Sequence, residues 1–117
     1  MGIGIDVIQI SRIEAALHRR PRLEQRCFSE QEREYCNSRR RPGQHYAARF
    51  AAKEAVAKAL QTSVRWREIE VIGSGGPPRV RLSGGTAAAA AGRDVAISMS
   101  HSGDVAVAAV IVQGVGE

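Results

Sequence analysis

The sequence predicts an α+β domain, a single compact unit over residues 1–117 in which helices pack on a mainly antiparallel sheet. Strand-like alternation at the two ends of the chain, helix signals between them, and a hairpin turn joining the last two strands lead to this class. At this length one core is the rule.

The elements follow in order. Residues 2–10 read as a strand, with Ile3, Ile5 and Val7 on one face and Gly2, Gly4 and Asp6 on the other. Ser11 and Glu14 have the spacing of a capping box, which predicts a helix to about His18, ended by Pro21. Ser29 and Glu32 repeat that spacing and open a short helix reaching Asn37. Residues 39–43, with their Pro-Gly pair, read as a loop. From Gln44 to about Leu60 runs the longest helical signal, rich in Ala and free of Gly and Pro. Arg67–Ile72 and Arg79–Leu82 are strand-like around a tight turn at Gly73–Pro78, and Thr86–Ala91 is a short helix stopped by Gly92. Val95–His101 and Val105–Val112 form the last hairpin around Ser102–Asp104.

Composition narrows the function classes. Hydrophobic residues make up 44% and aromatics only 4%, so the core must be built of aliphatic side chains. So small a domain buries a modest share of its surface, and an oligomer would add burial. No segment is long and apolar enough to span a bilayer. The N-terminus lacks a basic leader region, and Cys27 and Cys36 fit neither a redox pair nor a zinc set, which together predict a cytoplasmic protein with reduced thiols. Fifteen of the 17 basic residues are Arg, and residues 12–49 carry ten Arg against five Glu. That excess equals the net charge of +5. Arg makes planar, bidentate contacts with phosphates and carboxylates, so the stretch is either a docking surface for an anionic partner or a solvated basic face.

Three patches could carry chemistry. Asp6 interrupts an apolar strand, where a carboxylate is costly unless paired or bound to a metal. It could cap a loop, pair with an Arg, or sit where the neighbouring glycines let a ligand approach. Glu54 and Lys58 share a helix face with Phe50, while Arg49 and Lys53 project elsewhere; the pair is either a surface ion pair or part of a site. Ser98 and Ser100 share a strand face, and His101 stands where that strand ends. A Ser-His hydrolase is excluded, because adjacent strand residues point to opposite faces and no G-x-S-x-G turn is present.

In combination, Gly4-Ile-Asp6, Arg49-Phe-Ala-Ala-Lys-Glu-Ala-Val-Ala-Lys58 and Ser98-Met-Ser-His101 resemble the holo-acyl-carrier-protein synthases, the short branch of the 4′-phosphopantetheinyl transferases. Phe28-Ser-x-x-Glu32 and Gly76-x-Pro78 add to the resemblance, which covers nearly the whole chain in order. It implies transfer of 4′-phosphopantetheine from coenzyme A to a serine of an acyl carrier protein, with release of 3′,5′-ADP, in support of fatty acid or polyketide biosynthesis. It implies Mg²⁺ held by Asp6 and Glu54, with Glu54, Lys58 and His101 catalytic. Arg49, Lys58, Gly76, Pro78, Ser100 and His101 would bind coenzyme A. Arg12, Arg22, Arg26 and Phe50 would meet the acidic carrier protein. A homotrimer with active sites between subunits is implied as well.

Two positions depart from the family pattern. Ser102 stands where some relatives have an acidic residue, leaving Glu54 as both ligand and base, and Pro77 stands where a basic residue is frequent. The rival readings are a nucleic-acid-binding module and an inactive family member kept for interaction. Scarce aromatics argue against the first, so no nucleic acid partner is expected. Intact Asp6, Glu54 and Lys58 argue against the second.

Overall fold

A computed structural model describes residues 1–73 and 76–114, so Ser74 and Gly75 of the expected turn lie outside the described residues. Strand β1 (Gly2–Gln9) pairs antiparallel with β5 (Val105–Gln113), which pairs antiparallel with β4 (Asp94–Ser102). The sheet order β1-β5-β4 places the C-terminal strand in the middle. A second antiparallel pair is formed by β2 (Ile69–Ile72) and β3 (Arg79–Leu82). This is the α+β, antiparallel architecture expected from the alternation of strand and helix signals.

One helix organises the core. Helix α4 (Pro42–Leu60) lies across β1 and β5, and Ala51, Ala52, Ala55, Val56 and Ala59 are buried against Ala108, Val110 and Val112 of β5. Small side chains let the helix backbone come close to the sheet. Pro42 occupies the first turn, where its missing N–H is no loss, so the helix starts two residues before the expected Gln44.

The facing of β1 corrects the sequence reading. Ile3, Ile5 and Val7 point away from α4 and are 66%, 58% and 61% exposed, while the Gly2, Gly4 and Asp6 face packs on the helix. The room cleared by the glycines is filled by α4 rather than by a ligand: a Cβ on Gly4 would stand 1.9 Å from the carbonyl oxygen of Ala55, and one on Gly2 2.2 Å from that of Ala59. Period-two alternation identified the strand but could not say which face meets the core.

Helix α1 (Ile10–Arg19) also begins differently from expectation. Ser11 makes no capping box with Glu14. Its backbone N–H and hydroxyl instead donate to the Asp104 carboxylate in the β4–β5 turn, and the Ile10 N–H donates to the Asp104 carbonyl. A residue 93 positions away thus satisfies the helix start. Glu14 accepts from Arg41 at the entrance to α4. A five-residue helix, α2 (Leu23–Cys27), was not expected; it follows Pro21, and its Glu24 accepts from Tyr46 and Asn37. The capping box of α3 (Glu30–Asn37) is present as read, with Ser29 and Glu32 bonded reciprocally. Residues 66–68 form a single 3₁₀ turn before β2, and α5 spans Gly84–Ala90, two residues earlier than expected because Glu68 accepts from the N–H groups of Gly85 and Thr86.

A second cluster fills the space between α1, α2, α3 and α4 with Ile10, Ile13, Cys27, Phe28, Cys36 and Tyr46. Both cysteines are free and buried, and burial pushes the Cys36 thiol up to about 12. No helix among the described residues is long and apolar enough to cross a membrane.

Candidate functional site

The strand registers fix where the polar residues fall. Asp6 is opposite Ala108, and Ala108 is opposite Met99, so Asp6 and Met99 share the sheet face that α4 covers. Likewise Ile8 is opposite Ala106, and Ala106 is opposite His101, which places His101 on that face at the far edge. With α4 over β1 and β5, Asp6 emerges on one flank of the helix and His101 on the other.

On the β1 flank, Asp6 and Glu54 line a cavity of about 420 Å³ together with Arg12, Phe50 and Trp66, closed below by apolar residues of α1 and α2. The Lys58 ammonium donates to Asp6 Oδ1 at 3.0 Å and to the Ile5 carbonyl at 2.9 Å. Lys58 therefore pairs across to the strand, not along the helix with Glu54 as a plain surface pair would. Burial first, and then the neighbouring Asp6, raise the Glu54 carboxyl above its ordinary pKa, with Lys58 opposing. Two carboxylates stand near one ammonium, which is bonded to Asp6, so the cluster carries an unbalanced negative charge when both are ionised. Among the described residues no group of three or more His, Cys, Asp or Glu side chains converges on a point. Such a pair suits a hard cation that draws its remaining oxygens from phosphate and water, as Mg²⁺ does.

On the β4 flank, Arg49, Gly76, Pro78, Ser100 and His101 line a separate cavity of about 210 Å³ with Tyr35 and His45. Arg49 is 4% exposed and lies 4.2 Å over the Tyr35 ring, and its Nε has no hydrogen-bond partner among the described residues. Arg39 stacks on the same ring at 4.3 Å. Gln44 Nε2 lies 2.9 Å from His101 Nε2. Burial, then Arg49, Arg39 and His101, lower the His45 imidazole below its usual value. The cavity is a cationic pocket with an aromatic floor, suited to a phosphate beside a planar base.

The structure therefore brings the residues singled out in the sequence together as two groups, and α4 stands between them. Asp6, Glu54, Lys58, Phe50 and Arg12 form one; Arg49, Gly76, Pro78, Ser100 and His101 form the other. Arg22 and Arg26 are exposed and border a shallow depression with Arg20, adjoining the first cavity through Leu23. Sequence reasoning missed Trp66, whose ring lies 5.5 Å from Phe50 in the first cavity, Tyr35 and His45 in the second, and Gln44, which meets His101. The one available signal was that Trp66 is the sole tryptophan in a chain poor in aromatics.

With the geometry in place, comparison with known proteins is informative. The family model of the 4′-phosphopantetheinyl transferase superfamily matches residues 2–110. A holo-[acyl-carrier-protein] synthase of Anaeromyxobacter dehalogenans is 44% identical over 99% of this chain and 98% of its own. One from Desulforudis audaxviator is 45% identical over 100% of this chain and 95% of its own. Among solved structures, the Bacillus anthracis holo-(acyl-carrier-protein) synthase in complex with CoA (3′,5′-ADP) superposes with a TM-score of 0.82 at 35% identity, covering 97% of this chain and 96% of that one. The Helicobacter pylori synthase in complex with coenzyme A gives 0.84 at 30% identity, covering 95% and 99%.

Proposed function

The chain belongs to the 4′-phosphopantetheinyl transferase superfamily, in its holo-acyl-carrier-protein synthase branch, and on that premise we propose that it moves the 4′-phosphopantetheine arm of coenzyme A onto a serine of an apo acyl carrier protein. The observation that carries the proposal is that Asp6 and Glu54 line one cavity together with Arg12, while Lys58 is bonded to Asp6. Asp6 and Glu54 would hold Mg²⁺, which when bound supplies charge neutralisation on the pyrophosphate.

The chain's own residues then divide the work. Glu54, which lines the cavity beside Asp6, takes the proton of the carrier serine as the serine oxygen bonds to the β-phosphorus. The bond from that phosphorus to the bridging oxygen breaks, and 3′,5′-ADP departs. Lys58, half-exposed and tethered to Asp6 and the Ile5 carbonyl, offsets the charge growing on the leaving phosphate. Arg49, over Tyr35, would grip a nucleotide phosphate, with His101, Ser100, Gly76 and Pro78 enclosing the rest of the nucleotide. Arg12, Arg22 and Arg26 would meet acidic residues of the carrier, with Phe50 near that contact.

The two half-sites lie on opposite flanks of α4, which supports a site shared between copies of the chain. A partner surface is available. Ile3, Ile5 and Val7 of β1 and Val105 and Ile111 of β5 form one apolar sheet face, all at least 40% exposed. Packing that face in a homotrimer would cover it and could bring one copy's Arg49 pocket to another's Asp6 and Glu54. Incubation with apo acyl carrier protein, coenzyme A and Mg²⁺ tests the activity: intact-mass analysis should show carrier gaining the pantetheine arm, with one 3′,5′-ADP released per carrier. Unchanged carrier at stoichiometric enzyme would refute it.

A further inference from the structure

Beside the carboxylate site lies an ion pair that the proposed chemistry does not use. Lys53 precedes Glu54 on α4, and its side chain is fully buried, as is that of Glu32 on α3. The Lys53 ammonium spends all three donors: on Glu32 Oε1 at 2.8 Å, on the Trp66 carbonyl at 3.0 Å, and on the Ile69 carbonyl. Glu32 in turn accepts from the backbone N–H groups of Ser29 and Val71. Every polar atom of the pair is therefore held, and the partners come from α3, from the 3₁₀ turn and from β2.

Stability is a poor reason for such a pair. Burial pulls the Lys53 ammonium below its usual pKa, Glu32 opposing, and a buried ion pair replaced by apolar groups of similar size commonly leaves a protein as stable or more so. What the pair does is fix direction. An ammonium with three fixed partners sets the rotation of α4 about its axis at the residue next to Glu54. It also anchors the Trp66 backbone, and the Trp66 ring, 5.5 Å from Phe50, walls the cavity that Asp6 and Glu54 line.

We propose that the buried Glu32–Lys53 pair is the positioning device of the carboxylate site, aiming Glu54 at Asp6 and holding Trp66 against the same cavity, without itself touching substrate or metal. The inference rests on the metal-binding reading of Asp6 and Glu54 given above. Groups that orient metal-holding side chains typically control affinity by about 10- to 100-fold.

The test is the double variant Glu32→Gln/Lys53→Met, which removes both charges at nearly constant volume. The measurements are the thermal midpoint, the affinity for coenzyme A in EDTA by calorimetry, the affinity of the coenzyme A complex for Mn²⁺ by electron paramagnetic resonance, and the steady-state kcat and KM for coenzyme A. The expected result is a folded protein whose midpoint falls modestly, because Met leaves the Trp66 and Ile69 carbonyls without a donor, with unchanged coenzyme A affinity, Mn²⁺ binding weakened about 10- to 100-fold, and kcat falling while the KM for coenzyme A holds. Native Mn²⁺ affinity in the folded variant would overturn the proposal. Glu32→Gln alone, which leaves the buried Lys53 ammonium without its counter-charge, is the second variant: it should lower the midpoint more than the double variant and weaken Mn²⁺ binding in the same direction. Loss of the fold in both would also overturn it, because the pair would then serve stability. Failure of the unmodified protein to bind Mn²⁺ would instead refute the metal reading, and this inference with it.

Discussion

Replacing Gly4 with Ala would drive a methyl group into the backbone of α4. The added Cβ would stand 1.9 Å from the Ala55 carbonyl oxygen and 2.9 Å from the Ala59 N, whereas ordinary contact begins near 3.4 Å. The strand and helix would have to part by about 1.5 Å at that level. Neither neighbour is a flexible side chain that could turn aside, so the cost falls at the upper end of the usual overpacking range, about 2–3 kcal/mol. For a domain of this size that lowers the thermal midpoint by about 6–15 °C. Asp6 follows two residues later on the strand and Glu54 directly precedes Ala55, so the same displacement separates the two carboxylates. A misplacement of about 1 Å can cost 100-fold in rate, and a loss of that order in kcat is expected here. Gly2→Ala is the control: its Cβ meets Ala59 at the end of the strand, so it should destabilise with a smaller effect on rate. Calorimetry and steady-state transfer assays on both variants decide the matter. A Gly4→Ala protein with native midpoint and native kcat would refute the reasoning.

Other outcomes follow from the same geometry. Because the folded state raises the Glu54 pKa, the stability linked to this group is complete below its unfolded pKa and is lost as pH rises through the folded value. Metal-free Glu54→Gln should therefore gain thermal midpoint relative to the unmodified protein as pH rises above the ordinary carboxylate range, and a relative loss on that rise in calorimetry would contradict the assignment. Ile5→Arg on the exposed sheet face should leave a folded monomer with little transfer activity, where sedimentation of the unmodified chain gives three times the monomer mass; a variant that still sediments as a trimer would count against that face as the interface. Reversing Arg12, Arg22 and Arg26 to Glu should raise the KM for carrier protein at least 10-fold at low salt while the KM for coenzyme A stays put. Equal changes in both constants would remove these residues from carrier docking.

How much of this was legible in the sequence depends on whether a feature is local. The capping box at Ser29 and Glu32, the Ala-rich helix and the final hairpin each depend on neighbouring residues, and all are present. The start of α1 depends on Asp104, far along the chain, so the Ser11–Glu14 spacing misled. Which face of β1 is buried depends on α4 accepting a close backbone at Gly2 and Gly4, and alternation alone left that open, since Ile3, Ile5 and Val7 form an exposed apolar face. The site was legible as three patches in order, but not as two cavities divided by a helix. Tyr35 under Arg49, Gln44 against His101 and Trp66 beside Phe50 are contacts between elements, with no signature in spacing.

The central claim is that Asp6 and Glu54 form the metal-dependent centre of a phosphopantetheinyl transfer. Its most direct test is the single-turnover conversion of apo to holo carrier protein by intact mass, run with the unmodified chain and with Glu54→Gln, each in Mg²⁺ and in EDTA. The account predicts conversion only by the unmodified chain in Mg²⁺, with Glu54→Gln folded and inert. Comparable conversion by Glu54→Gln, or by the unmodified chain in EDTA, would contradict it.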